Sequence, residues 1–279
     1  MLRAHPFFMR VSSGLIRPKQ QILGMDFAGV VAAVGAEVAF FQAGDRVFGL
    51  SPDTFGAHAE YLCLPAGGQI ARMPRDMDFD EVVLCEGAWY ADTCLKQLGV
   101  ASGHKILIYG ASGAIGTAAV QLAKFYGADV TAVVGKRHLQ LAKSLGADRV
   151  VDYTAQDFTQ LGDTFDCMLD AVGKMRFLRC RRLLKPGGKF AATDLGPWWQ
   201  NLVFAAWSSA TGNGRFSIPF PRESKGFISF LKDRLEAGEL RAVIDSKYPL
   251  DAVADAFHYV ETAQKTGIVV INVMPIETE

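Results

Sequence analysis

The chain has no excess of charge of either sign. Its 279 residues include 29 basic and 29 acidic side chains, so the formal net charge is zero. A nucleic-acid partner calls for a basic field, and the composition supplies none. Long apolar runs are also missing: no stretch reaches the roughly 20 residues of a membrane-spanning helix, so no membrane span is expected. The opening residues, MLRAHPFFMRVSSGL, hold neither a long apolar core nor a small-residue cleavage site and read without a secretory signal. Cysteine is sparse and unpatterned. Cys63, Cys85, Cys94, Cys167 and Cys180 include no C-x-x-C pair, which argues for reduced thiols and a cytoplasmic location. His5, His58, His104, His138 and His258 show no mutual ligand spacing. Internal repeats and low-complexity tracts are absent.

What is present is a core-forming chain, half of it hydrophobic, long enough for one large or two modest domains. Its organising stretch is Lys105 to Lys124, KILIYGASGAIGTAAVQLAK. Ile106 to Tyr109 is a short apolar run of β-forming type. A glycine-rich turn follows, Gly110-Ala111-Ser112-Gly113-Ala114-Ile115-Gly116. Apolar residues then recur at helical spacing through Ile115, Ala118, Ala119, Leu122 and Ala123. The pattern predicts strand, tight turn and helix. Free N–H groups at the positive end of a helix dipole suit a phosphate. Gly113 lets the backbone approach a pyrophosphate, and Gly116 lets helix pack close on strand. The fingerprint G-x-G-x-x-G has Ala111 in its first position, and the plain alternative is a tight turn that binds nothing.

The flanking pattern favours the dinucleotide. Asp129 to Val134, Arg149 to Tyr153, Cys167 to Asp170 and Lys189 to Thr193 read as further strands, with helical patterns between most of them. Alternation of this kind predicts a Rossmann-type, doubly wound parallel α/β sheet. An acid ending the second strand would hold the ribose 2′-hydroxyl of NAD. The strand ends instead in Gly135-Lys136-Arg137, where two cations can neutralise a 2′-phosphate. This favours NADPH; the alternative is a solvated surface pair. Asp170, at the end of the fourth strand, either lines the ligand crevice or forms its own turn.

Upstream, Phe27 to Val34, Arg46 to Phe48 and Gly56 to Leu64 read as strands of a compact β-rich unit. Residues 1–22 interleave Arg3, Arg10, Arg17 and Lys19 with apolar side chains, as a basic amphipathic segment or as a loop packing its aromatics on the body. Phe79 to Leu98 reads as a helix leading into the parallel sheet. Met175 to Leu184 is helical and carries Arg176, Arg179, Arg181 and Arg182, stopped by Lys185-Pro186-Gly187-Gly188. Trp198, Trp199, Phe204 and Trp207 crowd one apolar stretch, which suits a core or subunit contact, a pocket lid or an interfacial helix. The lack of lysines among Trp198 to Trp207 weakens the interfacial reading, and a lid or dimer contact beside the nicotinamide is preferred because Leu195-Gly196 should follow the fifth strand. Phe227 to Glu236 is amphipathic, Asp251 to Ala263 is a helix with Asp251 as its N-cap, and Gly267 to Val273 closes the chain as a strand.

Several motifs carry a family resemblance: Leu23-Gly24-Met25-Asp26-Phe27-Ala28-Gly29, Gly44-Asp45-Arg46-Val47-Phe48-Gly49, Gly56-Ala57-His58-Ala59-Glu60-Tyr61, the Gly110 to Gly116 turn, Leu145-Gly146-Ala147-Asp148 and Leu169-Asp170-Ala171-Val172-Gly173. The chain resembles the medium-chain dehydrogenase/reductase superfamily, in its zinc-independent, quinone-oxidoreductase-like branch, from about residue 20 onward. The resemblance implies a GroES-like β-rich domain from residues 1–80 and 245–279 around a Rossmann domain at residues 81–244, commonly paired as a homodimer. It implies cofactor contacts at Tyr90, Ser112, Gly113, Ala114, Ile115, Gly116, Lys136, Arg137, Tyr153, Asp170, Gly173 and Leu195. Tyr90 stands where relatives carry a threonine facing the nicotinamide, and Tyr153 where a tyrosine lies beside the adenosine end.

The chain departs from zinc-dependent relatives, which place a histidine and a glutamate where Met25 and Asp26 stand. A thioether is a poor zinc ligand, and Arg46 to Phe55 holds no cysteine-rich lobe, so no zinc is expected. Relatives also begin with some tens of residues of β-structure before the equivalent of Met1. The expected activity is hydride transfer from NADPH to a quinone or an activated conjugated carbonyl, with Tyr61, Tyr90 and solvent as candidate proton sources. The other expectation is a cofactor-binding member with a structural, regulatory or membrane-tethering role.

Overall fold

The computed structural model describes residues 20–221 and 226–273. Strands β1 (Asp26–Val30), β2 (Arg46–Leu50) and β3 (Gln69–Arg72) form an antiparallel sheet in that order. Val47, Phe48 and Leu50 anchor it in the core. The strand expected over Phe27 to Val34 stops early. Its ladder closes at Val31, whose N–H donates to Asp45 O and whose carbonyl accepts from Gly44 N–H, and residues 32–44 leave as a loop.

Gly56 to Leu64, expected as a strand, is irregular. The two edges of β2 are taken by β1 and by β3, a strand the sequence reading did not anticipate, so the 56–64 segment has no ladder to join there. It is held instead through Ala57 and His58, whose N–H groups donate to the carbonyls of Gly24 and Leu23.

The central sheet is parallel and six-stranded. Its members are β4 (Lys105–Tyr109), β5 (Asp129–Val134), β6 (Arg149–Asp152), β7 (Phe165–Asp170), β8 (Leu184–Ala192) and β9 (Phe216–Ser217), in the order β6-β5-β4-β7-β8-β9. The five strands read from the sequence are all there. The two-residue β9 was not anticipated, and Pro186-Gly187-Gly188 lies inside β8 rather than in a helix stop ahead of it.

Alternation along β4 explains why both faces are covered. Ile106 and Ile108 enter one core cluster, and Leu107 enters the other with Phe165, Phe177, Phe190 and Phe216. The chain enters the sheet at β4, builds outward to β6, then returns to add β7 on the other side of β4. That reversal opens a crevice at the carboxyl ends of β4 and β7.

The helix expected over Phe79 to Leu98 is broken into α1 (Phe79–Val82) and α2 (Cys85–Leu98). The break frees the first N–H groups of α2, and the Asp26 carboxylate takes the Glu86 N–H at 2.9 Å. Next come α3 (Ala114–Phe125), α4 (Leu139–Ser144) and α5 (Phe177–Cys180). The last is much shorter than the Met175 to Leu184 helix expected, because a 3-10 turn at Arg181–Leu183 follows it.

Helix α6 (Gln200–Ala210) splits the aromatic stretch. Phe204 packs inward on Phe177 and Phe216, while Trp198 is 96% exposed, so a core role holds for Phe204 and not for Trp198. Then follow α7 (Phe227–Glu236), β10 (Ile244–Pro249), α8 (Val253–Glu261) and β11 (Ile268–Asn272). Asp251 is not the N-cap of α8: it lies within the 3-10 turn Leu250–Ala252, and Ala252 holds the cap position. Strands β10 and β11 pair in parallel as a separate sheet. Among the described residues, no helix is long and apolar enough to cross a membrane.

Candidate nucleotide-binding site

The turn between β4 and α3 is a backbone cradle. Gly110 turns the chain with φ +75°, and Gly113 sits extended at the N-cap of α3. A Cβ on Gly116 would lie 2.7 Å from the Ala111 Cα and closer still to the Gly110 carbonyl. A Cβ on Gly113 would meet nothing nearer than the Gly110 oxygen at 3.7 Å, so its outer side is open. Ser112, Ala114 and Ile115 are half-buried around that opening. The start of α3 thus presents N–H groups beside a glycine without a side chain, which fits a pyrophosphate.

Beside the cradle, at the carboxyl edge of the sheet, lies a cavity of about 360 Å³ lined by Tyr109, Tyr153, Thr154, Asp157, Phe158 and Arg179. The Tyr109 ring centroid lies 5.9 Å from that of Tyr153 and 5.2 Å from that of Phe158. The Tyr153 hydroxyl is close to Gly135, the residue before Lys136: a Cβ on Gly135 would stand 3.3 Å from it. Lys136 is exposed. It also helps to hold the Asp152 carboxyl below its usual range, after the larger effect of the hydrogen bonds from Thr154. Arg137 turns elsewhere, and its guanidinium donates to the Gln264 carbonyl. The structure therefore groups Tyr153 with Lys136 and points Arg137 at the C-terminal segment.

Across the crevice, Asp170 is fully buried and accepts from the N–H groups of Met175 at 2.7 Å and Val172 at 3.2 Å. Burial pushes its carboxyl above the usual range, and these hydrogen bonds pull the other way. Of the two sequence alternatives, its side chain takes the turn-forming one. Gly173 in this loop has φ +69° and abuts Asp194, and half-buried Leu195 follows β8.

Helix α2 rides on the cradle: a Cβ on Gly87 would meet the Ala114 carbonyl oxygen at 3.0 Å. Tyr90, one turn on, is half-buried with its ring edge-on to Phe220 at 6.1 Å. Glu86 and Asp26 sit at the start of α2. Burial raises both carboxyls, and Glu86 adds to the rise at Asp26. The segment 265–267 closes this side. The Gly267 N–H donates to Ser112 O at 2.7 Å, and Lys265 Nζ donates to the Gly267 carbonyl.

The sequence reading overlooked Tyr109, Phe158, Arg179 and Lys265. The first three could have been found from their places at or after sheet strands. Lys265 carries no local signal, since only the tertiary pairing of Gly267 with Ser112 brings it to the turn.

Residues 8–75 match the family model described as alcohol dehydrogenase GroES-like domain, and residues 145–271 match zinc-binding dehydrogenase. The first match reaches further toward the N-terminus than the motifs near residue 20. The chain is 34% identical over 273 residues to a 2-methylene-furan-3-one reductase of Solanum lycopersicum, and 32% identical over 270 residues to an NADPH-dependent alkenal/one oxidoreductase, chloroplastic, of Arabidopsis thaliana. Each match covers 92% of this chain and 65% of the relative, so the chain spans about two thirds of their length. A quinone-oxidoreductase homolog, chloroplastic, of Spinacia oleracea is 31% identical, with 96% of this chain and 86% of that protein covered. Among solved structures, the quinone oxidoreductase from Coxiella burnetii superposes with a TM-score of 0.78 at 26% identity, covering 90% of this chain and 79% of that one.

The chain belongs to the medium-chain dehydrogenase/reductase superfamily, a family of nicotinamide-binding oxidoreductases, in its quinone-oxidoreductase-like branch. Among the described residues, the zinc in the family model's description finds no fitting donors. Met25 offers a thioether, Asp26 is committed to the Glu86 N–H, and among the described residues no three His, Cys, Asp or Glu side chains stand together as a metal site.

Proposed function

We propose that this chain is an NADPH-dependent oxidoreductase that delivers hydride to a quinone or an activated conjugated carbonyl without the help of a metal. The observation that carries the reading is the backbone cradle at Gly113 and Gly116, next to a cavity lined by Tyr109, Tyr153 and Phe158, with the Tyr153 hydroxyl close to Gly135, the residue before Lys136. The bound nicotinamide supplies the hydride.

The chain's own residues bind and orient. The first N–H groups of α3 hold the pyrophosphate, and Tyr109, Tyr153 and Phe158 wall the adenosine end. Lys136 and the Tyr153 hydroxyl take the 2′-phosphate, where β5 ends without a carboxylate to repel it. Gly173 and Leu195 contribute backbone to the nicotinamide side, with Tyr90 across from them on α2. Tyr90 or solvent returns the proton. The relatives' names, which specify alkenal/one and quinone reduction, support this substrate class.

Titration with NADPH and NADH, read by nicotinamide fluorescence and followed by addition of a simple quinone and a simple enone, tests the proposal. Tight NADPH binding with oxidation on adding either acceptor is the expected result. Binding without turnover would sink the enzymatic reading in favour of a non-catalytic cofactor-binding member, and no binding would sink the reading of the turn.

A further inference from the structure

Among the described residues, Lys265 forms no ion pair. It is half-buried. Its ammonium group donates to the Gly267 carbonyl. Glu86 and Asp245 favour its charge at longer range, but burial is the larger effect and pulls its pKa below the usual lysine value. A desolvated ammonium held by one carbonyl is costly, and such a group is normally paired.

Its position indicates the missing partner. Gly267 is clamped to the cradle on both sides. Its N–H donates to Ser112 O at 2.7 Å, and it forms a parallel bridge with Gly113. The clamp tolerates no side chain, because a Cβ on Gly267 would overlap the Val243 carbonyl. Lys265 is therefore fixed, two residues away, at the edge of the turn that faces α2. The opposite edge leads to the Tyr109–Tyr153 cavity.

We infer that Lys265 is an anion-binding residue of the cofactor site, and that its ammonium group neutralises the pyrophosphate on the nicotinamide side of the Gly113 turn. The assignment rests on the dinucleotide reading above. It makes a specific claim: Lys265 serves NADPH and NADH alike, because both carry this phosphate, whereas Lys136 serves the 2′-phosphate alone.

The test is equilibrium binding to the full chain and to Lys265→Met and Lys265→Arg, by nicotinamide fluorescence for NADPH and NADH and by calorimetry for 2′,5′-ADP, which lacks the nicotinamide-side phosphate. In Lys265→Met both dinucleotides weaken by the same factor, about tenfold, as for loss of one charge-assisted bond. Binding of 2′,5′-ADP stays within twofold, Lys265→Arg restores most of the affinity, and the unliganded melting temperature of Lys265→Met does not fall. Unchanged dinucleotide binding in Lys265→Met overturns the assignment. So does a loss confined to NADPH, an equal loss for 2′,5′-ADP, or a drop in the unliganded melting temperature that accounts for the weakening. A wild-type chain that binds no nucleotide removes the parent reading together with this one, and is told apart by that control.

Discussion

A Cβ atom built on Gly116 would stand 2.1 Å from the carbonyl oxygen of Gly110. No side chain fits there, because both contacts are backbone and neither the strand nor the helix can yield without breaking its ladder. Gly116→Ala is expected to destabilise the fold by about 3 kcal/mol, at the upper end of overpacking costs, and to abolish NADPH binding. Urea denaturation and a fluorescence titration on the same preparation check both effects. An alanine variant of native stability would refute the close approach.

Lys136 and Arg137 are neighbours in sequence but have different surroundings. Lys136 is exposed and follows Gly135, which the Tyr153 hydroxyl approaches, and the Arg137 guanidinium is engaged by Gln264 O. Lys136→Ala should lower the NADPH-over-NADH preference by about tenfold, the worth of a charge-assisted phosphate contact. Arg137→Ala should change that preference less. Dissociation constants for the two nucleotides decide the matter, and the reverse order would place the 2′-phosphate on Arg137.

Asp26 makes stability depend on pH in a definite direction. Burial, then Glu86, raises its carboxyl well above the usual value, so the folded chain holds a proton that the unfolded chain has released. Stability from this group is therefore lost as pH rises from the ordinary carboxylate range through the elevated value. Asp26→Asn keeps an oxygen for the Glu86 N–H and cannot ionise. Its stability curve should be flatter over that window and should lie above wild type at the upper end. Urea midpoints across pH measure the difference, and parallel curves would rule the effect out.

Trp198 adopts φ 57° and ψ 25° and is 96% exposed. Left-handed backbone costs a residue with a Cβ about 1–2 kcal/mol. Trp198→Gly removes that strain and loses almost no burial, while the added freedom of glycine offsets part of the gain. A net stabilisation of about 0.5–1 kcal/mol is expected from urea denaturation. Destabilisation would show that the indole makes contacts which outweigh the strain.

The elements legible in the sequence were those encoded by neighbours. The strand, turn and helix of residues 105–124 follow from an apolar run, a glycine turn and a helical period, and Phe227–Glu236 was read with the bounds the structure has. Two readings turned on partners distant in sequence or on how the chain turns back. Gly56 to Leu64 alternates like a strand, but strand formation needs a partner edge, and β3 had taken the one on β2. Asp170 was left between two roles because its fate depends on whether the N–H groups of Val172 and Met175 turn back to it.

By itself the sequence determined the class of the fold and the place of the nucleotide turn, since local pattern suffices to specify a βα unit and a run of them specifies a parallel sheet. Tertiary structure alone decided which distant side chains stand near the turn. Lys265 reaches the turn through the Gly267–Ser112 hydrogen bond, and Arg137 is drawn off by Gln264. Such long-range contacts are set by how the closing strand docks on the sheet, a packing choice that leaves no periodicity in the residues that make it.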